Sequence, residues 1–552
     1  MATFGTKKKF LKITRNGMRW AINRSYFDVV MDGLIDDLDI HINMPGCRTV
    51  KTNLFRTVYR LPLKGNRASF YIKRYNTRGW RAVIKYAVLP SRAFTEWEMM
   101  RILSEVGVKS AVPVACGEKR RGPVLIDSCL ITEEIHEGMP LGKFIKKSFR
   151  LNKNILLQEL AELAYSLHKN RIFHRDFHCD NIVVSPDIKG FPSLYIVDLH
   201  TVKRLPLLSL NKKIKMLAKL HDSLHKLLSQ EDMRKLLTLY SLKDVSFGNK
   251  FEKNSNKVEN LSSKIRSRHL KSRTKRCKKV SSLFTVEIKG KHKIYRRREV
   301  EDDLLLAAIR LHRDNLIKNQ SVLKITKRSA LTIVMPEYSS RALCIKEYFD
   351  AGPADSLKCL FGYSRGKNAW VCGNGLLVRG ILTAKPLAFV KEFSSFFQER
   401  GFLITESLAH LKRVDHYIIQ EFSRGLENLK RKRSFILQFA GSIGDLHRKK
   451  IYHGDLKAPN IFVHEQSPGL WNYYFVDYDR VNFEAKISMR RVCKNLAQIH
   501  TSIPECITGT DRVRFLKKYL DTTGSSSFKR CIINGVLRES KKRIAVTTGP
   551  IE

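Results

Sequence analysis

The chain has 552 residues, of which 43% are hydrophobic, and its formal net charge is +50. This hydrophobic content excludes a wholly disordered chain, and the length suits two domains of about 250 residues each. The charge indicates either a solvated surface of lysine and arginine or an anionic partner such as acidic lipid, anionic glycan or nucleic acid. The 11 cysteines are scattered without a Cys-x-x-Cys pair, which argues against a zinc site or a disulfide framework.

Residues 1–20 are predicted to be a basic lead-in. This segment contains no apolar run long enough for a signal peptide, and no stretch of the chain approaches the ~18 continuous apolar residues of a transmembrane helix. We therefore expect a protein that is made and kept on the cytosolic side of a membrane.

Residues 21–246 are predicted to form a first kinase-like domain. Apolar alternation predicts strands in FRTVYRLPL and FYIKRY, and the second of these strands carries Lys73. The segment FTEWEMMRILSEVGV predicts a helix that carries Glu96. In kinases a strand lysine contacts the α- and β-phosphates of ATP, and a glutamate on the next helix fixes its direction. Lys73 and Glu96 are therefore candidate nucleotide-binding residues.

The centre of the first domain is the segment IFHRDFHCDNIVV, which follows a strongly apolar predicted helix. Asp176 is followed by Asn181 five residues later, and Asp198 comes seventeen residues after that. This order and spacing, with a predicted hairpin before the last aspartate, is typical of the catalytic and metal-binding set of kinases. Asp176 is the candidate group that orients the acceptor hydroxyl and takes its proton. Asn181 and Asp198 are candidate ligands of Mg²⁺, which prefers hard oxygen donors.

Two neighbouring residues of the HRD triplet are given structural roles. His174 is predicted to be a packing residue and Arg175 a local hydrogen-bond donor, because neither spacing nor context makes them proton carriers. No convincing glycine-rich loop precedes the strand lysine in this domain or in the later one, so another group is expected to cover the phosphates.

Residues 247–274 are predicted to be a basic linker. The 16 residues from Lys264 to Lys279 hold nine lysines and arginines and no acid. This composition is typical of a solvated, disordered tether. Such a segment acts either as a plain linker or as an electrostatic clamp on an anionic surface.

Residues 275–525 are predicted to form a second kinase-like domain, because they repeat the first. Adding 279 to the numbers of the first catalytic set gives Asp455, Asn460 and Asp477, and no insertion or deletion is needed from the catalytic loop to the end of the copy. Upstream the shift is 273, and it places Lys73 on Lys346. A period as long as a domain argues against an array of small repeats.

The second copy lacks the helix carboxylate of the first. The shift of 273 places Glu96 on Ala369, in the segment SRGKNAWVCGNGLLVRG, and the glycines of this segment weaken it as a helix. We therefore expect another group to orient Lys346.

Two charged residues are specific to the second copy. Lys457, two residues after the catalytic aspartate, is a candidate for stabilising the transferring phosphoryl group. The first copy has His178 at this position. Asp479 is either an extra carboxylate at the metal site or a surface aspartate that pairs with a base such as Arg480. Residues 526–552 are predicted to be a polar tail with one short apolar strand, CIINGVL.

The predicted fold class is α+β, with two tandem protein-kinase-like bilobal domains. The metal motifs are DLH and DYD instead of DFG, no APE motif follows them, and only about 50 residues separate Asp198 from the end of the first domain. The C-lobes are therefore expected to be reduced in comparison with those of eukaryotic-type protein kinases.

These motifs resemble those of the bacterial lipopolysaccharide core kinases, which include Kdo kinase and the heptose kinases. HRDFHCDN in the first domain is similar to the heptose-kinase catalytic loop, although the asparagine at its end is closer to ordinary kinases. HGDLKAPNIFV, FVDYDRV and SRGKNAWVCGNGLLVRGILTAKPLAFV in the second domain are similar to Kdo kinase. The tandem arrangement departs from the single domain that is usual in this family.

The resemblance implies phosphorylation of a sugar hydroxyl, on Kdo or heptose, with ATP and Mg²⁺. It implies the lipopolysaccharide core glycolipid as substrate and a peripheral location at the cytoplasmic face of the inner membrane, where the positive charge would meet anionic lipid. The same motifs also fit an atypical protein kinase or a small-molecule phosphotransferase. A third alternative is a pair of pseudokinases that bind anionic lipid or RNA.

Overall fold

The computed structural model describes residues 10–53, 55–62, 69–77, 79–186, 191–337, 339, 341–349, 364–395, 398–423 and 428–547. The chain divides into two compact units, which we call the first unit, Met1–Arg266, and the second unit, Ser267–Glu552. Both units mix helices with sheets. The domain ends predicted at residues 246 and 275 flank this division, and the limits of the functional domains stay a prediction.

The first unit contains a seven-stranded antiparallel sheet with strand order β1-β2-β6-β7-β5-β4-β3. Two smaller sheets follow it, with orders β11-β10-β8 and β12-β9. The strands are β1 Phe10–Arg15, β2 Met18–Asn23, β3 Arg48–Thr52, β4 Arg56–Leu61, β5 Phe70–Tyr75, β6 Pro113–Arg121, β7 Val124–Glu133, β8 Met139–Pro140, β9 Ile172–His174, β10 Ile182–Pro186, β11 Pro192–Ile196 and β12 Val202–Arg204.

The helices of the first unit lie between and after these strands. Besides single helical turns, they are α1 Leu38–Asn43, α2 Trp80–Val88, α3 Arg92–Glu105, α4 Leu141–Lys169, α5 Leu210–Leu224, α6 Gln230–Lys243 and α7 Phe251–Lys275. The division between the two units falls inside α7.

The second unit has the same sheet topology as the first. Its seven-stranded sheet has the order β13-β14-β18-β19-β17-β16-β15, and its smaller sheets have the orders β20-β22-β23 and β21-β24. The strands are β13 Phe284–Lys289, β14 His292–Arg297, β15 Val322–Thr326, β16 Ser329–Val334, β17 Leu343–Tyr348, β18 Pro386–Ser395, β19 Gln398–Glu406, β20 Lys412–Arg413, β21 Ile451–His453, β22 Ile461–Ser467, β23 Leu470–Phe475 and β24 Val481–Phe483.

The helices of the second unit are α8 Asp302–Lys318, α9 Arg365–Val378, α10 Val414–Phe422, α11 Leu429–Arg448, α12 Met489–His500, α13 Gly509–Thr523 and α14 Lys529–Thr547. Because each strand has its counterpart twelve strands later in the same sheet position, the duplication seen in the sequence is also a duplication of topology.

Helix α4 of the first unit and helix α11 of the second form the centres of corresponding cores. Leu156, Leu160 and Ala164 recur every four residues along α4 and are buried. Phe435 and Phe439 begin the same pattern in α11. This spacing aligns the apolar side chains on one face of each helix, and their burial removes that face from water.

A buried histidine–tyrosine pair recurs in the two units. The Nδ1 atom of His168 lies 2.7 Å from the hydroxyl of Tyr240, and His447 and Tyr519 repeat this contact at 2.7 Å. Both pairs are separated by the shift of 279. Burial lowers the pKa of His168 to about 3 and that of His447 to about 4. Both rings are therefore neutral near pH 7.

These two histidines make stability depend on pH. Their pKa values are lower in the folded chain than the value of about 6.5 for an exposed histidine, so the unfolded chain binds more protons as the pH falls below 6.5. Each histidine should lower the free energy of unfolding by about 1.4 kcal/mol for every pH unit that the pH falls between 6.5 and 4.5. In domains of this size, that loss corresponds to several degrees of melting temperature. We expect thermal midpoints, followed by circular dichroism, to be level above pH 7 and to fall below 6.5. A variant with His168→Gln and His447→Gln should show a shallower slope; equal slopes would contradict the assignment.

The predicted linker is a helix instead of a disordered tether. Residues 251–275 form α7, and its buried positions are partly polar, namely Asn254, Ser255 and Ser262. Asn254 donates to the carbonyl of Phe247, and Ser262 lies 3.0 Å from His221. The prediction of a solvated segment was wrong because this helix packs on the core of the first unit, where Val258 is buried and Leu261 and Ile265 lie against it, in addition to these polar contacts.

The predicted lead-in and tail also take part in the fold. Of residues 1–20, the structure describes those from 10 onward, and they form β1 and the first half of β2 in the large sheet. The segment CIINGVL lies in helix α14, not in a strand, and its Ile532 is buried. Short apolar runs do not distinguish helix from strand, and the contact of α14 with α12 decided the outcome here.

The glycines of helix α9 allow close packing. A Cβ atom on Gly373 would lie 2.6 Å from Pro386 and 2.7 Å from Tyr478, and one on Gly375 would lie 2.5 Å from Phe483. Real Cβ atoms do not approach other atoms this closely, so these positions require glycine. The segment is therefore helical despite its low propensity, because its backbone packs directly against the chain that follows Asp477.

Among the described residues, the structure has no helix that combines the length and the apolar character needed to cross a membrane.

Candidate active sites

The first site contains the predicted lysine–glutamate pair. Lys73 lies in β5, and its Nζ donates to the Oε2 of Glu96 in α3 at 2.8 Å. The Glu96 side chain is fully buried and that of Lys73 is 14% exposed. Ser91 caps α3 by accepting from the main-chain N–H of Phe94 at 3.0 Å, so the helix that carries the glutamate has a fixed start.

Asp198 follows β11, and its carboxylate is held by the side chains of Arg56 and His200. Arg56 in β4 donates to both carboxylate oxygens at 2.8 Å, and the Nδ1 of His200 lies 2.6 Å from Oδ1. Burial alone would raise the pKa of Asp198, but the hydrogen bonds of His200 and Arg56 outweigh it and hold that pKa well below its usual range. The backbone of Asp198 is left-handed, with φ of 64°, and such strained positions concentrate at functional sites.

The catalytic loop of the first site is held by main-chain contacts. Asn181 donates from Nδ2 to the carbonyl of Asp176 at 2.8 Å, and its own carbonyl accepts from Val197 at 3.0 Å. Strands β10 and β11 pair with Ile182 opposite Ile196. The amide Oδ1 of Asn181 is thus left for a cation, and the chain just before Asp198 is brought next to Asn181. The tip of the hairpin, 187–190, lies outside the described residues.

The HRD histidine is a structural residue, as predicted. His174 is buried, and its Nδ1 accepts from the main-chain N–H of Asp176 at 3.2 Å. Burial lowers the pKa of His174 to about 4, so the ring is neutral near pH 7. In the second unit His453 accepts from Asp455 in the same way, at 3.3 Å.

Asp176 itself is paired with a lysine that the sequence did not indicate. The Nζ of Lys219, in α5, lies 3.0 Å from its Oδ1. Burial would raise the pKa of Asp176, but the hydrogen bond and charge of Lys219 exceed this effect, and the pKa is lowered. The carboxylate of Asp176 is therefore ionised at neutral pH.

In the second site Lys346 is oriented by carboxylates that follow β23. Its Nζ contacts Asp477, and Asp479 Oδ2 lies 3.8 Å away. Asp479 also lies 3.7 Å from Arg365, and its side chain is only 10% exposed. The interpretation of Asp479 as a surface residue was therefore wrong. Burial raises the pKa of Asp479 against the opposing charge of Lys346. Ala369 is buried in α9, so this unit replaces the helix carboxylate with one from the chain after the sheet.

The second catalytic loop repeats the geometry of the first. Asn460 donates to the carbonyl of Asp455 and to its Oδ2, both at 2.9 Å. The carbonyl of Asn460 accepts from Val476 at 3.0 Å, and Asp477 has φ of 58°. Lys457 Nζ lies 3.0 Å from Oδ2 of Asp455. Lys346 lowers the pKa of Asp477 in spite of the raising effect of burial.

The donor atoms of the first site suit a hard cation. Glu96, Asp198 and His200 each offer an atom within 4.8 Å of the others. Within the described part of the chain, Glu96 Oε1 is buried without a hydrogen-bond partner. A carboxylate has about four lone-pair positions, of which Asp198 uses three on Arg56 and His200. The carboxylate oxygens of Glu96 and Asp198, with the amide oxygen of Asn181, are hard donors that fit Mg²⁺ better than a soft metal.

The structure thus assembles the predicted residues into two sets, although their catalytic roles stay predictions. The first set is Lys73, Glu96, Asp176, Asn181 and Asp198, and the second is Lys346, Asp455, Lys457, Asn460 and Asp477. Arg56, Lys219 and a pair of serines that hold the two loops were not predicted from the sequence. Ser223 accepts from Cys179 at 2.9 Å and Ser502 from Ala458 at 2.8 Å. The repeat itself, LHDS against IHTS, was the available signal for these serines.

Comparison with known proteins identifies the family. The sequence model of the lipopolysaccharide kinase (Kdo/WaaP) family matches residues 50–240 and 355–519. The lipopolysaccharide core heptose(I) kinase WaaP of Pseudomonas aeruginosa strain PAO1 is 28% identical in an alignment of 148 residues, and the match covers 24% of this chain and 53% of the relative. The chain therefore spans about half the length of that curated relative. A solved structure of WaaP in complex with acyl carrier protein is 20% identical, with a TM-score of 0.34 over 44% of this chain and 99% of the other. Since the two family matches together cover more than half of the chain, the protein belongs to the lipopolysaccharide kinase (Kdo/WaaP) family.

Proposed function

We propose that the protein transfers the γ-phosphoryl group of ATP to sugar hydroxyls of the lipopolysaccharide inner core, on Kdo or heptose. Two tandem kinase-like domains, 21–246 and 275–525, would do this work, and the first has the fuller catalytic set. The observation that carries the proposal is the fully buried Glu96 bonded to Lys73 at 2.8 Å, with an oxygen within 4.8 Å of one on Asp198, in a segment that matches the kinase family.

The residues of the first site divide the reaction between them. Lys73, directed by Glu96, binds the α- and β-phosphates. Asp176, ionised and held by the loop, takes the proton of the acceptor hydroxyl. The hydroxyl oxygen then forms its bond to the γ-phosphorus as the bond from that phosphorus to the bridging oxygen breaks, and ADP leaves with the bonding electrons. In the second site Lys346 and Asp455 have the same roles, and Lys457 stabilises the charge on the transferred group.

Asn181 and Asp198 would hold Mg²⁺ in the first site, and Asn460 and Asp477 in the second. When bound, the metal neutralises phosphate charge and fixes the phosphates for in-line transfer. The contacts of Arg56 with Asp198 leave this carboxylate ionised and oriented. Arg56 lies in the strand next to that of Lys73 and two residues before Val58, which is paired with Lys73, so Arg56 and Lys73 share a face of the sheet. The N–H groups of Arg56 that do not bond Asp198 can therefore bind phosphate oxygens.

The charge of the chain supports an anionic acceptor. The inner core carries carboxylates and phosphates and is embedded among anionic lipids, and a net charge of +50 attracts such a surface. We place the enzyme peripherally at the cytoplasmic face of the inner membrane. The matched relative is named as a heptose(I) kinase, and heptose is therefore the first acceptor to test, with Kdo as the second.

Transfer from radiolabelled Mg·ATP to truncated-core lipopolysaccharide tests this proposal. Acceptors that end in Kdo and in heptose are compared, and the full-length chain with both Asp176→Asn and Asp455→Asn is the control. We expect label in the glycolipid with wild type and none with the control. Label in protein instead would support the atypical protein kinase, and label in an added small molecule the other phosphotransferases. Binding of ATP without transfer to any acceptor would contradict the proposal.

A further inference from the structure

Each catalytic aspartate has a lysine at 3.0 Å, but the two lysines come from different elements. In the second unit Lys457 belongs to the catalytic loop and lies two residues after Asp455. In the first unit Lys219 belongs to α5 and is 43 residues away from Asp176 in sequence. Lys219 also donates to the carbonyl of Arg175, so it contacts both the side chain and the backbone of the HRD segment.

The exchange is reciprocal. At the position of the loop lysine the first unit has His178, whose Nδ1 accepts from Asp180 and whose Nε2 lies 3.3 Å from Asn181 Nδ2. At the position of the α5 lysine the second unit has Gln498, which donates to the carbonyl of Gly454 at 3.1 Å. Each unit thus has one lysine and one residue that holds the loop, in opposite places.

We propose that Lys219 is a positioning residue of the first site, which does there what Lys457 does in the second. It holds the carboxylate of Asp176 and keeps a positive charge beside the point of phosphoryl transfer. This inference rests on the proposed function. The side chains of Lys219 and Asp176 are 32% and 43% exposed, so the pair lies at the solvent boundary, where an acceptor hydroxyl and a γ-phosphate can reach it.

A purely structural role for Lys219 predicts that its loss lowers stability, whereas a positioning role predicts that its loss lowers turnover. A partly exposed ion pair contributes little to stability, about 0–1 kcal/mol, and the loop already has its own anchors in Asn181 and Ser223. Loss of Lys219 should therefore leave the thermal midpoint nearly unchanged, whereas a positioning residue should affect turnover.

The test uses the full-length chain with Asp455→Asn, so that only the first site turns over. Lys219→Gln is the variant of choice because the second unit has glutamine at this position with the same loop geometry. We expect kcat to fall 10- to 100-fold, with KM for ATP changed less than threefold and the thermal midpoint within 1–2 °C. Adding His178→Lys, which moves the lysine to its place in the second unit, should restore kcat at least fivefold. Unchanged kcat in Lys219→Gln, or no restoration by His178→Lys, would overturn the proposal.

A second readout needs no turnover, so that failure here differs from failure of the proposed function. Lysines of the ligand-free protein are reductively methylated with ¹³C, and the Lys219 signal is identified by its absence in Lys219→Gln. We expect this signal to shift on Asp176→Asn and not on Asp180→Asn. A Lys219 signal whose chemical shift is unchanged by Asp176→Asn would refute the pairing of Lys219 with Asp176, even if the wild type transferred phosphate. If no acceptor is phosphorylated but the shift is seen, the pairing stands and the proposed function fails.

Discussion

Replacing Asp176 with asparagine is expected to lower phosphate transfer by the first site by about a thousandfold, since general base catalysis contributes about 10²–10⁴. The change keeps the size of the side chain and its place in the loop but removes the group that accepts the proton. Asp455→Asn should do the same to the second site. The phosphorylated positions of the core, mapped by mass spectrometry, show which hydroxyl depends on which aspartate.

The matched control is Asp180→Asn, in the same loop. Asp180 is 81% exposed and the second unit has Pro459 there, so its carboxylate is not shared by the two sites. Its replacement removes the same charge and should change transfer less than threefold. If Asp180→Asn lowers transfer as much as Asp176→Asn does, loss of charge in the loop explains both and the general base is elsewhere. If Asp176→Asn and Asp455→Asn each only halve the phosphate at one position of the core, both units act on the same hydroxyl.

The catalytic sets were predictable because their spacing is a geometric consequence of the fold. Asn181 and Asp198 lie at the two ends of the β10–β11 hairpin, so the number of residues between them is set by strand length. The duplication strengthened this prediction: the intervals recur in Asp455, Asn460 and Asp477, and the structure gives both aspartates that follow the hairpins a left-handed backbone.

What could not be predicted depends on neighbours distant in sequence. Arg56 reaches Asp198 across 142 residues, and Lys219 reaches Asp176 from a helix 43 residues further along the chain. Asp479 appeared exposed because an aspartate between a tyrosine and an arginine gives no sign of burial. Helix α7 packs Val258, Leu261 and Ile265 on the core of the first unit at helical spacing, but lysines, arginines and serines dominate its composition, and composition alone does not reveal such a face.

The second large effect is expected at Glu96. Glu96→Ala should lower the free energy of unfolding of the first unit by about 3–5 kcal/mol, because it leaves Lys73 largely buried without its partner. Transfer by the first site should fall about 100-fold at temperatures where the variant is folded, since a free lysine no longer holds the phosphates. Chemical denaturation gives the first quantity, and activity in the Asp455→Asn background gives the second.

Two controls separate these effects. Glu98→Ala removes an acidic side chain from the same helix. The Glu98 side chain is 37% exposed and pairs with Arg101 at the surface, and such a pair contributes about 0–1 kcal/mol to stability. Glu96→Gln keeps the shape and should cost less stability than Glu96→Ala while still impairing transfer. In the second unit, where Ala369 stands at the position of Glu96, Asp479→Asn tests whether the Asp479 carboxylate directs Lys346 instead. We expect this variant to weaken transfer by the second site. If Glu98→Ala proves as harmful as Glu96→Ala, the helix and not the buried pair is what the first site requires.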